Sequence, residues 1–496
     1  MDLHTLTQDL IPKQIDQHVA LHQINIRSIE MDSRKVQPGS LFVCLSGFNM
    51  DGHQFAAEAV QNGAIAVMAE KAVDVSVPVI IVPDTRRALA FVADRFYDSP
   101  TRALRLIGVT GTNGKTTITH LIAEMLEQCG YRTGRMGTIN MQIGDIETPL
   151  ANTTPESLEL QKGFRQMVDA GCSHAVIEAS SHAIHMGRVR GCNFGTVVFS
   201  NLTQDHLDYH GTMANYKQAK GLLFAQLGNR YDPEDLKFAI LNADDPAYET
   251  YRTYTPAQVL TYGIHNRQAD IKAKNIVLTP QGTSFTVEYL QEEENIEVRL
   301  LGQFNVYNVL GAIGAGLVEG LTLKDMKNSL LHVDGVPGRM EAVDAGQDFS
   351  VIVDYAHTPD SLENALATIK QFAQGKIFCI VGCGGDRDRT KRPLMAHIAS
   401  RYADVSVLTS DNPRSEDPEK IILDMKEGLI SNEVPQNKYQ TFVERREAIH
   451  WAIQQAAPDD VILIAGKGHE TYQEIKGRKY HFNDKQVALE ALKTRM

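Results

Sequence analysis

A glycine-rich segment gives the clearest indication of chemistry in this sequence. Gly111-Thr112-Asn113-Gly114-Lys115-Thr116-Thr117 follows the apolar run Ala103 to Thr110 and leads into a helical pattern. Such a turn brings backbone N–H groups close to phosphate oxygens, and the new helix adds the positive end of its dipole. Lys115 would reach the terminal phosphates, and the Thr116 hydroxyl would bind Mg²⁺. The segment predicts an ATP site in a shortened loop, because Val109 replaces the first glycine of the GxxxxGK[ST] pattern.

Two other apolar runs end in groups that could bind a metal ion. Glu178 ends the run from His174, and Asn201 ends the run from Gly195, shortly before Asp205-His206. If both strand ends face the phosphate loop, their oxygen and imidazole donors would suit Mg²⁺ beside Thr116. A strand-end salt bridge remains the alternative for Glu178, and a helix cap remains the alternative for His206.

Four polar strings follow four apolar strands in the last third of the chain. The strands are Ser350 to Asp354, Ile377 to Val381, Val405 to Thr409 and Val461 to Ala465. The strings are Asp354-Tyr355-Ala356-His357, Gly382-Cys383-Gly384-Gly385-Asp386-Arg387, Asp411-Asn412-Pro413-Arg414 and Gly466-Lys467-Gly468-His469-Glu470. Any one string could be an ordinary turn, but ligands of open α/β sheets bind at the carboxyl ends of the strands. We therefore expect a ligand site at this edge.

Strands and helices alternate along the chain, which predicts an α/β protein of several domains. The first segment has strand patterns at 41–45, 64–69 and 77–82 and helical patterns at 54–62 and 85–97. Asp98-Ser99-Pro100 and the stretch from Asp334 to Arg339 are candidate linkers. We predict an N-terminal substrate domain at 1–98, a central phosphate-loop domain at 99–332 and a doubly wound C-terminal domain at 333–496.

Composition favours a cytoplasmic enzyme that acts on small molecules. The chain has 496 residues, and 49 Lys plus Arg against 61 Asp plus Glu give a net charge of −12, which disfavours a nucleic-acid or membrane-surface role. Its six cysteines lack CxxC pairing, so we expect reduced thiols and no structural zinc. No signal peptide or membrane-spanning run is evident.

Several motifs, in order along nearly the whole chain, resemble the Mur ligases of peptidoglycan synthesis. The matching segments are Asp32-Ser33-Arg34, Thr110 to Thr116, Asn152-Thr153-Thr154-Pro155, Glu178 to His182, Asn201 to Asp208, Gly338-Arg339-Met340-Glu341 and Asp354 to His357. The resemblance implies three α/β domains around a central ATPase domain. It also implies that ATP converts the D-glutamyl carboxylate of UDP-N-acetylmuramoyl-L-alanyl-D-glutamate into an acyl phosphate, which an amine then attacks.

Site residues carried over from the resemblance fall into three groups. The catalytic and metal-binding group is Lys115, Thr116, Glu178, His206 and Lys220, of which Lys220 matches a lysine that CO₂ carbamylates in this family. The ATP group adds Asn305, Arg339, Asp354 and His357 to the glycine-rich segment. The group for the UDP-muramoyl-dipeptide is Ser33, at the uridine end, with Asn152, Thr153, Thr154, Ser180 and Arg188. Ala179 departs from the family pattern, which usually has a larger β-branched residue there; we expect no functional change.

The string Asp411-Asn412-Pro413-Arg414 indicates which amino acid is added, since the diaminopimelate-adding members of the family carry DNPR. meso-Diaminopimelate has a second amino acid head that lysine lacks. Arg387 and Arg414 could bind its far carboxylate, Asp411 and Glu470 its far amine, and Gly466 would let the backbone approach. We predict diaminopimelate as acceptor and a monomeric enzyme. The alternatives are a lysine-adding homologue, a ligase like folylpolyglutamate synthetase, and a protein that uses ATP only as a switch.

Overall fold

The computed structural model describes residues 1–15, 20–47, 50–333 and 335–495, so Asp334 of the predicted second linker lies outside the described residues. The chain divides into two compact units. The first comprises Met1–Lys272 and Leu310–Thr322, and the second comprises Ala273–Val309 and Leu323–Met496. Strand β14 (Ile271–Thr279) and helix α10 (Gln303–Val318) each cross from one unit to the other along the chain.

The first unit begins with a small sheet in the order β1-β5-β4-β3-β2. Its strands are β1 (Gln14–Ile15), β2 (Ser28–Glu30), β3 (Ser40–Val43), β4 (Ala64–Ala69) and β5 (Val79–Ile81), and its helices are α1 (Leu3–Thr7), α2 (Ala56–Gln61) and α3 (Thr85–Phe96). β2 to β5 pair in parallel, whereas β1 is antiparallel to β5. The apolar sides of α1 and α3 pack on one face of this sheet.

A second sheet carries the phosphate loop, and its eight strands that lie wholly in the first unit run in the order β13-β12-β11-β6-β10-β7-β8-β9. Its strands are β6 (Arg105–Thr110), β7 (Thr133–Met136), β8 (Met141–Ile143), β9 (Ile146–Thr148), β10 (His174–Glu178), β11 (Phe194–Phe199), β12 (Phe238–Asn242) and β13 (Gln258–Gly263). Its helices are α4 (Lys115–Gln128), α5 (Ser157–Asp169), α6 (Ser181–His185), α7 (Leu207–His210), α8 (Met213–Gln226) and α9 (Ala247–Tyr254). β6 lies between β10 and β11 and is parallel to both, so these three strands end at the same edge.

The second unit is built around a sheet in the order β17-β18-β22-β19-β20-β21. The strands of this sheet are β17 (Glu341–Ala342), β18 (Ser350–Asp354), β19 (Ile377–Cys383), β20 (Val405–Ser410), β21 (Tyr439–Thr441) and β22 (Val461–Ala465). The unit also contains two antiparallel pairs, β15 (Gly282–Tyr289) with β16 (Glu292–Val298) and β23 (Tyr472–Ile475) with β24 (Arg478–His481). Its helices are α11 (Leu323–Leu330), α12 (Pro359–Ile369), α13 (Lys391–Tyr402), α14 (Pro418–Ile430), α15 (Arg445–Gln455) and α16 (Asp484–Arg495). All neighbours in this sheet are parallel except β17 and β18.

Helices cover both faces of that sheet. Leu366 of α12, Met395 of α13 and Met425 of α14 belong to one buried cluster, and Ile449 of α15 and Val487 of α16 belong to another. This confirms the predicted α/β class and the doubly wound C-terminal sheet. The bounds of the three predicted domains stay a prediction. Across the described ranges, we find no helix with the length and apolar character that crossing a bilayer requires.

Candidate active site

The phosphate loop connects β6 to α4 in a conformation that requires glycine. Gly111 and Gly114 have φ angles of +147° and +87°. A Cβ atom on Gly111 would lie 1.9 Å from the Ser200 Oγ, so a side chain has no room there. Thr112 Oγ1 lies 3.1 Å from the Thr203 carbonyl, and Asn113 N donates to Asn201 Oδ1 at 3.0 Å. The segment after β11 thus supports the loop from the neighbouring strand.

Two lysines converge on one carbonyl of this loop. Lys115 Nζ donates to the Gly111 carbonyl at 3.1 Å and to the Thr112 carbonyl at 2.8 Å. Lys220, on α8, donates to the same Gly111 carbonyl at 2.7 Å and is only 1% exposed. Burial lowers the pKa of Lys220 well below its usual range, and the nearby Lys115 acts in the same direction. The cationic Lys115 therefore lies beside an amine whose protonation is disfavoured, and its own charge favours an anionic ligand at this point.

Glu178 lies at the carboxyl end of β10, beside the strand that leads into the phosphate loop. It is 1% exposed, and both of its carboxylate oxygens accept hydrogen bonds from Thr138, from the backbone N at 2.8 Å and from Oγ1 at 3.0 Å. A Cβ on Gly137 would lie 2.2 Å from Glu178 Oε1, so glycine gives the carboxylate its space. Sequence reasoning missed Thr138, which no motif distinguished from other loop threonines.

The residues predicted for the muramoyl peptide are partly brought together. Thr154 Oγ1 donates to the Glu178 carbonyl at 2.7 Å and lies 3.2 Å from Ser180 Oγ, while Arg188 donates to the Thr154 carbonyl at 2.9 Å. Thr153 Oγ1 lies 3.1 Å from Thr138 Oγ1.

Within the described ranges, no hydrogen bond joins this group to Asn152 or to Ser33, which was predicted for the uridine end of the substrate. Asn152 is exposed, and buried Ser33 begins a 3₁₀ turn, where its carbonyl accepts a hydrogen bond from Asn62. The Thr153, Thr154, Ser180 and Arg188 cluster is therefore the best-supported part of this prediction.

His206 belongs to a group of histidines that the sequence indicated only in part. Its φ angle is +52°, its Nε2 lies 3.3 Å from Asp205 Oδ2, and its ring centroid lies 4.7 Å from that of His182. Burial lowers the pKa of His206, and the nearby Lys115 acts in the same direction, although the carboxylate of Asp205 opposes this. A neutral imidazole can serve as a metal ligand.

The donor atoms in this region fit Mg²⁺ only together with further oxygens. Among the described residues, no three His, Cys, Asp or Glu side chains form a group able to hold a metal ion. Thr116 and Glu178 supply the hard oxygen donors that Mg²⁺ prefers, and nucleotide phosphates commonly supply others. The Lys220 amine fits this set only as a carbamate, since a carbamate has oxygen donors and an ammonium group has none.

In the second unit, three of the residues predicted to bind nucleotide lie together at the carboxyl end of β18, namely Arg339, Asp354 and His357. Asp354 accepts backbone hydrogen bonds from Met340 at 2.7 Å and Ala356 at 2.8 Å, and burial raises its pKa although Arg339 opposes this. The Arg339 guanidinium lies 4.9 Å from the centroid of the Tyr355 ring, whose centroid is 4.6 Å from that of His357. Asn305 is 1% exposed, and its amide donates to the Leu301 carbonyl at 2.8 Å.

The predicted carboxylate-binding arginines lie on two adjacent loops of the second unit. Arg414 has a φ angle of +50°, and its Nη1 donates to the Gly385 carbonyl at 2.8 Å, which joins the loop after β20 to the loop after β19. Arg387 Nη1 donates to the Asp386 carbonyl at 3.0 Å. Pro413 precedes Arg414, and its carbonyl lies 2.0 Å from where a Cβ on Gly385 would be, so this close approach requires glycine.

The predicted amine-binding residues converge on a lysine that the sequence analysis did not select. Lys467 is 0% exposed, and its Nζ lies 2.9 Å from Glu470 Oε2 and 3.5 Å from Asp411 Oδ1. Asn412 donates to Glu470 Oε2 at 2.9 Å. Gly466 has a φ angle of +117° and donates to the Asp354 carbonyl at 3.0 Å. The second unit therefore gathers both predicted amine-binding carboxylates around one buried cation.

Models of one protein family match most of the chain. The model described as "Mur ligase family, catalytic domain" matches residues 25–97, "Mur ligase middle domain" matches 109–316, and "Mur ligase, glutamate ligase domain" matches 338–468.

Individual relatives extend over nearly the whole chain. The "UDP-N-acetylmuramoyl-L-alanyl-D-glutamate--2,6-diaminopimelate ligase" of Geobacillus thermodenitrificans is 55% identical, with 95% of this chain and 96% of the relative covered. The protein of the same description from Bacillus cereus is 53% identical, with 100% and 99% covered. A solved structure of a ligase so described has a TM-score of 0.72 at 35% identity, with 100% of this chain and 99% of the other covered.

Proposed function

This chain belongs to the Mur ligase family, and we propose that it joins meso-2,6-diaminopimelate to UDP-N-acetylmuramoyl-L-alanyl-D-glutamate at the expense of ATP, as a step of peptidoglycan precursor synthesis in the cytoplasm. The observation that carries the proposal is the convergence of Lys115 and Lys220 on the Gly111 carbonyl of the phosphate loop. The identity of the added amino acid is supported by the relatives, which are described as 2,6-diaminopimelate ligases over nearly their full length.

The reaction has two steps, phosphoryl transfer to the carboxylate and attack of the amine on the acyl phosphate. A D-glutamyl carboxylate oxygen attacks the γ-phosphorus of ATP, so that an acyl phosphate forms and ADP leaves. The acceptor amine then attacks the acyl carbon, inorganic phosphate leaves, the nitrogen loses a proton, and an amide remains. Positioning and charge stabilisation account for most catalysis of such phosphoryl transfers. In this proposal, the loop N–H groups and Lys115 would fill this role.

Lys220, as a carbamate, and Glu178 would supply the anionic oxygen atoms of the same site. Only a neutral amine attacks CO₂, so the lowered pKa of Lys220 favours formation of a carbamate. Thr116, Glu178, His206 and carbamylated Lys220 would hold Mg²⁺, which screens phosphate charge when bound. Thr138 holds the Glu178 carboxylate in one orientation, so no reorganisation of that group is needed when the substrates arrive.

On the second unit, Arg387 and Arg414 would bind the far carboxylate of diaminopimelate, and Asp411 and Glu470 its far amine. Arginine suits this role because its planar donors match a carboxylate. Lysine lacks the far carboxylate and would leave an arginine unpaired, which is the kind of mismatch that gives strong discrimination. We further propose that the enzyme works as a monomer.

The test is phosphate release and product mass with UDP-N-acetylmuramoyl-L-alanyl-D-glutamate and ATP, with either meso-diaminopimelate or L-lysine as the sole acceptor. We expect a product with diaminopimelate alone. A product with lysine alone would retain the ligase but overturn the proposed acceptor. ATP binding without ADP formation with either acceptor would instead support a nucleotide switch, and turnover with a folate would support the folylpolyglutamate synthetase alternative.

A further inference from the structure

Lys467 is a fully buried lysine among the predicted acceptor residues of the second unit. It follows β22 in the segment Gly466-Lys467-Gly468, in which both glycines have positive φ angles, +117° and +52°. Its side chain is 0% exposed. A lysine is rarely so buried unless its charge is matched by its surroundings, so its contacts indicate its role.

The ammonium group of Lys467 is held by three side chains. Nζ donates to Glu470 Oε2 at 2.9 Å and to Asn412 Oδ1 at 3.2 Å, and it lies 3.5 Å from Asp411 Oδ1. Asn412 completes the arrangement, because its Oδ1 also accepts the Glu474 backbone N at 2.9 Å while its Nδ2 donates to Glu470. These contacts fix the orientation of the Asn412 amide.

Neither carboxylate uses all of its hydrogen-bonding capacity among the described residues. Glu470 Oε2 receives two donors, but within the described part of the chain Oε1 receives none, and the Glu470 side chain is 20% exposed. Asp411 Oδ1 is buried without a hydrogen bond among the described residues. One cation among two carboxylates leaves one net negative charge, which matches one ammonium group of a ligand.

We propose that Lys467 is a positioning and specificity-determining residue of the acceptor site. It fixes the positions of the Asp411, Asn412 and Glu470 side chains, and its charge reduces the net charge of the group to one negative unit. The site then favours an acceptor head that carries one ammonium group and one carboxylate. This inference rests on the proposed function. Without Lys467, the extra negative charge would weaken attraction for the far carboxylate of diaminopimelate but not for the far ammonium of lysine.

The experiment compares Lys467→Met, Lys467→Arg and the matched control Lys479→Met in steady-state assays with each acceptor. Lys479 lies 4.1 Å from the centroid of the same Tyr472 ring that Lys467 approaches at 5.6 Å, but it is exposed. We expect Lys467→Met to raise the KM for diaminopimelate about tenfold or more and to lower the preference for diaminopimelate over lysine. The KM values for ATP and the UDP substrate should stay within about twofold, and Lys467→Arg should recover part of the preference.

The outcomes separate the two proposals. If the unaltered enzyme makes no product with diaminopimelate, the proposed function fails. If the unaltered enzyme is active and Lys467→Met keeps its KM and its acceptor preference, the role of Lys467 is wrong. If Lys467→Met instead raises the KM values of all three substrates by the same factor and also lowers Tm, Lys467 is merely structural. That outcome also overturns the inference.

Discussion

At the scale of single residues, Lys220 has the most unusual environment in the phosphate-binding region. Its amine is buried against the Gly111 carbonyl, where protonation is disfavoured by burial and by Lys115. We predict that Lys220→Ala lowers kcat by roughly 10²–10³-fold or more, since an anionic oxygen donor would be lost. Phosphate release measures the loss, and addition of a short carboxylic acid should restore part of it.

The control for this prediction is Lys217→Ala, one turn earlier on α8 and only half-buried. It should retain most activity, with no response to added acid. An unimpaired Lys220→Ala enzyme would rule out the carbamate.

His210 gives a prediction about pH. Burial lowers its pKa to about 4, with His182 and His185 contributing, and its Nε2 lies 3.0 Å from Ser181 Oγ. The folded state therefore resists a proton that the unfolded chain takes up near pH 6.5, so stability is lost as pH falls from about 6.5 toward about 4. Between pH 7 and pH 5 this group should cost about 2 kcal/mol of unfolding free energy. Urea unfolding at both pH values measures it.

The matching variant is His210→Gln, which cannot take up the proton. Its loss of stability over the same pH range should be smaller than that of the unaltered chain. Exposed His265→Gln serves as control and should behave like the unaltered chain. Identical pH slopes for His210→Gln and the unaltered chain would contradict the assignment.

At the scale of elements, helix α13 holds the two acceptor loops through Arg392. Its guanidinium is 0% exposed and donates to Glu416 at 2.8 and 3.0 Å, to Asp424 at 2.8 Å and to the Gly384 carbonyl at 3.3 Å. Glu416 in turn accepts the Asp386 backbone N at 2.6 Å. This network connects the loop that carries Arg387 with the loop that carries Arg414.

We predict that Arg392→Met destabilises the protein by about 3–5 kcal/mol, because it leaves two carboxylates without their buried cation. The KM for diaminopimelate should rise as well, since both arginine-bearing loops lose a support. Arg389→Met is the control, because Arg389 binds the same Asp424 at 2.9 Å while 66% exposed, and it should cost less than about 1 kcal/mol. Equal costs in denaturant unfolding would show that burial is not the cause.

Strand prediction succeeded where short apolar runs lie between polar residues. His174–Glu178, Ser350–Asp354 and Val461–Ala465 have the predicted bounds. The run predicted to end at Asn201 ends at Phe199, and helix 54–62 is a 3₁₀ turn followed by α2. β14 and β16 were missed because their exposed faces carry charged and polar residues, as in the segment Glu292–Val298.

The buried charged residues of the candidate site could not be predicted from the sequence. Lys467, Arg392 and Arg445 are all nearly or fully buried, although lysine and arginine are usually exposed and no local pattern marks the exceptions. Arg445 pairs with Asp484 at 2.7 Å and donates to the Ala465 carbonyl at 2.9 Å, which supports the strand end before Gly466. The partners of these residues are distant in sequence, so only the folded chain identifies them.

At the scale of the whole molecule, a protein with a net charge of −12 has to bind anionic substrates. Local cations must then supply the affinity, and Lys115 of the phosphate loop is the clearest source in the first unit. The second unit carries the arginines and Lys467 of the acceptor site. Each unit thus has cationic side chains where the proposed function requires a ligand to bind. That ligand is the nucleotide phosphate in the first unit and the far amino acid head of diaminopimelate in the second.

This distribution predicts how nucleotide stabilises the chain. A ligand that binds only the folded state adds about 2.7 kcal/mol at 100 times its Kd. A non-hydrolysable ATP analogue with Mg²⁺ should therefore raise Tm in the unaltered protein, and Lys115→Met should abolish most of the rise because the phosphates lose a direct cation. Lys237→Met is the control, since Lys237 pairs with Asp235 at 2.6 Å before β12, at the other end of the sheet. It should keep the full nucleotide-dependent shift even if its own Tm falls, whereas an equal loss of the shift in both variants would mean that the phosphate loop is not where the nucleotide binds.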